Sequence, residues 1–241
     1  APVFSDGVTL AAGIITVPAG VTSFTVTVPT TADTVADATE TYTLTVGAAS
    51  GTGTINDDDA APTIQGVTSA TQVEGTALVH TVTLTNASSS STSFAYTLGG
   101  GSATSGTDYT NPPTFSNGVT LVAGNLIVPA GVTSFTVTVP TTLDTIDEGA
   151  SENYNLSVGG VAATGTITDD DNAPSIASVS SANAVEATSI VHTVTLSNAS
   201  SSNTSYTLSL ADVSATGGGT DYASTLTNAA LSNGGTSGAG I

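Results

Sequence analysis

Residues 128–140 read Val-Pro-Ala-Gly-Val-Thr-Ser-Phe-Thr-Val-Thr-Val-Pro, and residues 17–29 carry the same sequence 111 positions earlier. Within this segment Phe135, Val137 and Val139 alternate with threonine, a period of two that is typical of a strand with one buried face. β-branched residues dominate the segment, as they do in strands. The segment therefore predicts a β-strand that occurs twice in the chain.

The sequence around this strand repeats as well. Three further pairs of segments match in the same order: 54–59 with 166–171, 79–84 with 191–196, and 106–109 with 219–222. Each Asp triplet is followed by a linker that contains proline, and such linkers are natural boundaries between repeats. The predicted organisation is the C-terminal half of one repeat (1–59), a complete repeat (60–171) and the N-terminal half of the next (172–241).

Each repeat is predicted to be entirely β. The segments 78–84, 94–98 and 154–158 also alternate between apolar and polar residues, and no segment shows a helical period. Clusters of Gly, Asn, Ser and Pro separate these strands at intervals of about 8–12 residues. About seven short strands in about 110 residues is the size of an immunoglobulin-like antiparallel β-sandwich. We therefore expect tandem sandwiches.

The charge composition excludes several functions. The 241 residues include no Lys, Arg, Cys, Met or Trp, and 19 acidic residues give a formal net charge of -19. Binding of nucleic acid or anionic lipid through a basic patch is excluded, as is chemistry that needs Lys, Arg or Cys. No apolar run is long enough for a transmembrane helix, so we expect no membrane insertion. With no internal cation, a cation from solution is the expected partner.

The acidic residues of the complete repeat lie at strand ends and in turns, which meet at the poles of a sandwich. They are Glu74, Asp108, Asp144, Asp147, Glu148, Glu152, Asp169, Asp170 and Asp171. Neighbouring carboxylates repel one another unless a cation neutralises them, and Ca²⁺ takes six to eight oxygen ligands in flexible geometry. Mg²⁺ is less suited because it needs strict octahedral geometry. A single Asp would be a solvated surface charge, but recurrence in register favours calcium.

Other polar residues predict no active site. His80 and His192 occupy equivalent strand positions in the apolar register, which favours a structural role. No Ser-His-Asp set has a nucleophile-elbow signature, so we expect no enzyme activity. Asn86 and Asn198 each begin a glycosylation sequon, which we interpret as a chance match.

Four features of residues 60–171, and of both flanking halves, together resemble a Calx-beta domain. They are Glu74, the Gly-Thr-Asp-Tyr segment 106–109, the acidic turn 147–152 before Tyr154, and the Gly-Thr-Ile-Thr-Asp-Asp-Asp segment 165–171. The resemblance implies calcium bound at one end of a sandwich, next to the following domain. It implies these ligands in the complete repeat: Glu74, Asp108, Asp147, Glu148, Glu152, Asp169, Asp170 and Asp171. Equivalent positions in the flanking halves are Asp37, Glu40, Asp57, Asp58, Asp59, Glu186 and Asp221.

The first half-repeat departs from this pattern. Its acidic turn, residues 35–40, is one residue shorter than the turn of the complete repeat, and Ala36 stands where the complete repeat has Asp147. We therefore expect the first half-repeat to hold fewer ions.

The near-identical tandem copies and the Thr, Ser, Ala and Gly richness resemble repeat regions of giant bacterial surface adhesins of the RTX type, which type I systems secrete. That resemblance implies a structural extender repeat of an extracellular adhesin or fibre, rigidified by calcium, at the cell surface and in biofilms. One alternative is a carbohydrate- or protein-binding adhesion module, which the low aromatic content disfavours. Another is a filament subunit joined head to tail by strand complementation, because neither half-repeat can close its own core.

Overall fold

The computed structural model describes residues 1–149 and 151–223, and every regular element in these ranges is a β-strand. Contacts divide the chain into two compact units. Of the described residues, the first contains 1–144 and 151–170, and the second contains 145–149 and 171–223. Within the described ranges no helix could span a membrane. Residues 224–241 of the predicted third repeat lie outside the described residues.

Short strands follow one another along all three predicted repeats. Residues 1–59 form β1 (Val3–Phe4), β2 (Thr9–Ala11), β3 (Ile14–Thr16), β4 (Val26–Thr27), β5 (Val35–Ala36), β6 (Glu40–Val46) and β7 (Ala49–Ile55). Residues 60–171 form β8 (Ile64–Val67), β9 (Ala70–Val73), β10 (Leu78–Leu84), β11 (Ala87–Ser88), β12 (Thr92–Gly99), β13 (Thr114–Phe115), β14 (Thr120–Val122), β15 (Asn125–Val128), β16 (Ser134–Val139), β17 (Ile146–Asp147), β18 (Glu152–Val158) and β19 (Val161–Thr168). The third repeat contributes β20 (Ile176–Val179), β21 (Val194–Leu196) and β22 (Ala199–Ser200).

Two sheets of the first unit enclose a single core. One sheet has the order β13-β16-β10-β8, and the other has the order β14-β15-β12-β18-β19-β9. All neighbours in these sheets are antiparallel except β9 and β19, which run parallel. Strands β10 and β16 of one sheet and β15, β18 and β19 of the other contribute buried side chains to one cluster. The predictions of an all-β fold and a sandwich are confirmed.

A buried hydrogen bond joins the two sheets. His80 of β10 is fully buried, with Nδ1 2.7 Å from the Thr68 carbonyl oxygen and Nε2 2.9 Å from the Tyr154 hydroxyl. A carbonyl can only accept, so Nδ1 carries the hydrogen and Nε2 of the neutral ring accepts from the tyrosine. Desolvation lowers the pKa of His80 and favours this neutral form. His80 is therefore a structural residue of the core.

The first half-repeat presents an uncovered apolar face. Tyr42, Leu44 and Val46 of β6 are 36–37% exposed, whereas their counterparts in β18 are completely buried. The hairpin of β6 and β7 keeps the pairing register of β18 and β19, so its local structure is the same. Among residues 1–59, all of which are described, Val8 is the one buried hydrophobic residue.

A short parallel pairing recurs at equivalent positions of the repeats. In the first unit β5 pairs with β11, so that Val35 lies beside Ala87. In the second unit β17 pairs with β22, so that Ile146 lies beside Ala199. The repetition in the sequence is therefore accompanied by repetition of this contact, in which the acidic-turn segment of one repeat meets residues of the next.

Candidate metal centre

An acidic cavity of about 340 Å³ lies in the first half-repeat. The end of β7 delivers the Asp triplet to one wall, and the segment between β4 and the start of β6 forms the other. Six carboxylates line the cavity, from Asp33, Asp37, Glu40, Asp57, Asp58 and Asp59. Because the chain contains no Lys or Arg, none of these carboxylates has a strong cationic partner in the protein.

Backbone hydrogen bonds hold the two walls together. The Asp37 amide donates to Asp57 Oδ2 at 2.7 Å, which joins the turn to the triplet. The Asp59 amide donates to Asp57 Oδ1 at 3.3 Å, and one carboxylate oxygen from each triplet residue lies within 4.8 Å of the others. Asp57 thus organises the cluster, since its two oxygens fix both neighbouring segments.

The density of charge changes the titration of one member. Desolvation raises the pKa of Asp59, and repulsion from Asp57, Asp58, Asp33 and Asp37 raises it further. A carboxyl group whose ionisation is opposed by four neighbouring carboxylates is stabilised when a cation enters among them. The raised pKa of Asp59 therefore reflects the electrostatic cost of placing these carboxylates around one cavity.

The donor set fits a hard divalent cation. Every charged group at the cavity is a carboxylate, and Thr30 and Thr31 are among the other lining residues. Calcium prefers such oxygen ligands and tolerates irregular geometry, whereas zinc prefers histidine or cysteine. Asp33, Asp37, Glu40, Asp57, Asp58 and Asp59 are the residues that could hold calcium here.

The complete repeat brings two pairs of carboxylates together within the first unit, and three of the four residues, Glu74, Asp108 and Glu152, are predicted ligands. Glu74 is buried, and its carboxylate lies within 4.8 Å of the Asp144 carboxylate, whose amide faces Glu74 Oε1 at 3.5 Å. Asp108 is also buried, accepts a hydrogen bond from the Thr104 amide, and lies within 4.8 Å of the Glu152 carboxylate. A cation bound between two such carboxylates would reduce their mutual repulsion.

The remaining predicted ligands of the complete repeat are divided between the units. Asp169 is half-buried and Asp170 is exposed, directly after β19 in the first unit. Asp147, Glu148 and Asp171 belong to the second unit. Asp147 lies in a strand rather than in the predicted turn, because its backbone pairs with Ser200, and its Oδ2 accepts from Ser200 Oγ at 2.8 Å.

The third repeat places its predicted ligands at the surface. Glu186 is exposed, and so is Asp221, whose Oδ2 accepts a hydrogen bond from the Thr216 amide at 2.7 Å. Asp212, which sequence analysis did not select, accepts from the Gly217 amide at 2.9 Å and from the Tyr222 hydroxyl.

Two residues of the acidic clusters were missed as ligand candidates. Asp33 and Asp144 occupy equivalent positions 111 residues apart, and each lies beside predicted ligands. The signal that could have found them was the repetition itself, since an acid kept at the same position of two copies was already visible. The prediction that the first half-repeat holds fewer ions stays a prediction, although its cavity keeps six carboxylates without an acid at position 36.

Comparisons with known proteins give one family match and several similar solved structures. The Calx-beta domain family matches residues 9–61 and 57–167. The chain is similar to the calcium binding domain CBD12 of CALX1.1, at 18% identity over 49% of each chain with a TM-score of 0.36. It is also similar to CBD12 from CALX1.2, at 19% identity over 48% of each chain with a TM-score of 0.35. The chain thus spans about half the length of these structures.

A comparison with curated proteins gives no match. The two family matches follow each other from residue 9 to residue 167 and together include more than half of the chain. They fall on the half-repeat that contains the acidic cavity and on the repeat whose two sheets close a sandwich. This chain belongs to the Calx-beta domain family.

Proposed function

We propose that this chain is a non-catalytic, calcium-stabilised structural repeat that extends an extracellular adhesin or fibre. The observation that carries the proposal is the cavity of the first half-repeat, where six carboxylates meet in a chain without Lys or Arg. Membership of the Calx-beta domain family supports calcium as the cation.

The proposed mechanism is electrostatic. Without calcium, repulsion among the carboxylates favours separation of the turn that holds Asp33 and Asp37 from the triplet 57–59. An ion shared by both walls would replace this repulsion with attraction. Because the triplet leads directly into the linker before β8, fixing the triplet would restrict the movement of one repeat against the next. Binding free energy would then add to folding stability.

The proposed location is extracellular, at a bacterial cell surface, with a role in attachment and biofilm. Tandem near-identical repeats without cysteine support an exported extender. Calcium sites of extracellular modules bind with dissociation constants of about 10⁻⁴–10⁻³ M, so millimolar calcium outside the cell would fill them. Antibody labelling of intact cells that make the protein tests the location, and label confined to permeabilised cells would contradict it.

Thermal unfolding tests the calcium proposal. The full chain is melted in chelator, in millimolar Ca²⁺ and in millimolar Mg²⁺. We expect a clear rise in Tm with Ca²⁺ and a small rise with Mg²⁺, since a ligand at ~100 times its Kd adds about 2.7 kcal/mol per site. Equal Tm values in chelator and Ca²⁺ would reject calcium as the partner.

A second candidate is a filament subunit that joins copies head to tail by strand complementation. The observation that favours it is the uncovered face of Tyr42, Leu44 and Val46, whose counterparts are buried in the complete repeat. Val194 and Leu196 of the third repeat are exposed. The corresponding residues of the complete repeat, Val82 and Leu84, are buried in its core. Residues 172–223 of one copy would therefore supply the sheet that residues 1–59 of another lack.

Sedimentation and electron microscopy in Ca²⁺ test this second candidate. Filaments of uniform width that disappear with Leu44→Asp would support it. The control is Leu143→Asp, because Leu143 is exposed and lies outside the uncovered face. A monodisperse monomer of 23.3 kDa would contradict head-to-tail assembly and leave the calcium proposal intact.

A further inference from the structure

The segment Asn-Ala-Ser-Ser occurs at residues 86–89 and again at 198–201, and we call it the joint segment. Its asparagine holds the linker that enters the same repeat. Asn86 Nδ2 donates to the Ala60 carbonyl oxygen at 2.8 Å, and Asn198 Nδ2 donates to the Asn172 carbonyl oxygen at 2.8 Å. The first contact lies wholly in the first unit and the second wholly in the second unit.

The serines of the joint segment hold a different part of the chain. The Ser88 hydroxyl donates to the Ala36 carbonyl oxygen at 3.1 Å, and the Ser89 amide donates to the same oxygen at 3.1 Å. In the second unit the Ser200 hydroxyl donates to the Asp147 carbonyl oxygen at 3.1 Å, and the Ser201 amide donates to it at 2.9 Å.

This arrangement is a built surface rather than a loose turn. Ser88 is 9% exposed, and its hydroxyl oxygen also accepts from the Ser90 amide at 3.3 Å. Asn86 is half-buried with its amide engaged, so the sequon has a structural explanation. Equivalent donors bond equivalent acceptors in both copies of the joint segment. The contact therefore follows from the sequence of the segment.

We propose that the joint segment is a docking surface whose partner is the acidic turn of the preceding Calx-beta repeat. The segment takes the carbonyl oxygen at position 36 or 147 and, through its asparagine, fixes the incoming linker. In the first unit the next residue, Asp37, lines the acidic cavity and is tied to Asp57. Calcium in that cavity would therefore tighten the docked turn, a coupling that rests on the proposed function.

Amide hydrogen exchange of the full chain tests the surface itself. Asn86→Ala removes the side-chain bond to the Ala60 carbonyl oxygen, and Ser88→Ala removes the hydroxyl that bonds the Ala36 carbonyl oxygen and the Ser90 amide. In each variant we expect protection of the Ser89 amide to fall about fivefold or more, the factor given by the loss of one bond of typical net strength. Protection of the Ser201 amide should stay unchanged in both variants, and Asn198→Ala should reverse the pattern. Ser91→Ala is the matched control, because Ser91 is an exposed serine on the same loop.

Each outcome decides one part of the proposal. Rapid exchange of Ser89 in the parent chain, or equal protection in Asn86→Ala, Ser88→Ala and Ser91→Ala, would overturn the docking surface. If Ca²⁺ raises Tm without raising Ser89 protection, calcium binding stands and the coupling is wrong. If Ca²⁺ leaves Tm unchanged, the proposed function fails, and the docking surface is judged by the Asn86 and Ser88 variants alone.

Discussion

Gly165 lies directly opposite Tyr154 on the neighbouring strand, at a position where a Cβ atom would come within 2.1 Å of the tyrosine ring. Gly53 and Tyr42 form the same pair in the first half-repeat, with a corresponding approach of 2.4 Å. The absence of a side chain at Gly165 leaves room for the tyrosine ring beside β19. In the complete repeat the hydroxyl then reaches His80 of the other sheet.

Gly165→Ala is predicted to destabilise the first unit. The new methyl group must displace a fully buried ring, so we expect a loss of about 1–3 kcal/mol in the free energy of unfolding. Urea unfolding followed by circular dichroism measures it. Gly66→Ala is the control, because a Cβ there meets no atom within 4 Å. Equal losses in the two variants would show that the contact with Tyr154 has no effect.

Asp57→Asn is predicted to weaken calcium binding at the acidic cavity. The change removes one charge from the residue that ties both walls, so we expect Kd to rise by about tenfold or more. Titration calorimetry of the full chain measures it. Asp6→Asn is the matched control, because it removes an exposed acid outside the cavity and introduces the residue found at the equivalent position 117. A similar Kd for both variants would count against the cavity as the binding site.

The raised pKa of Asp59 predicts an unusual pH dependence in chelator. The Asp59 carboxyl holds its proton more tightly in the folded chain than in the unfolded chain, where its pKa has the ordinary value of 3.8. This carboxyl therefore adds stability as the pH falls from its raised pKa to 3.8, and opposes stability above that range. Tm measured against pH should show this gain in the parent chain and in Asp6→Asn, and lose it in Asp59→Asn. In Ca²⁺ the trend should reverse, because protons then compete with the ion.

The lowered pKa of His80 predicts the opposite dependence of stability on pH. Its folded pKa lies below the ordinary value of 6.5, so the unfolded chain takes up the proton first. Its contribution to stability is complete above pH 6.5 and is lost as the pH falls below that value. The free energy of unfolding should decline there in the parent chain and in His192→Gln, whose histidine is exposed. A decline of equal size in His80→Gln would assign the effect to other groups.

The regular part of the fold followed from the sequence because its signal is local. Alternation at Phe135, Val137 and Val139 depends on one strand facing one core, and these three residues are fully buried as that pattern requires. The all-β class and the sandwich needed nothing more than several such strands at short intervals.

The long-range contacts could not be predicted in the same way. The pairing of Val35 with Ala87 involves two strands of two residues each, which are too short to show a period. The proximity of Glu74 to Asp144 depends on how loops 70 residues apart meet at one end of the sandwich. Acidic residues could be selected from recurrence, but their grouping into separate clusters required the positions of the strand ends.

The parallel pairing of β9 with β19 has a mechanical consequence. These strands lie near opposite ends of the complete repeat in sequence, and four residue pairs, from Ala70 with Gly165 to Val73 with Thr168, hold them side by side. Tension applied through the two ends of the repeat pulls these parallel strands in opposite directions along their length. The hydrogen bonds between them are then loaded in shear and must break together, rather than opening one by one like a zipper. A single-molecule force–extension curve should therefore show one abrupt, high-force rupture for this repeat, and gradual extension at low force would exclude this mode of resistance.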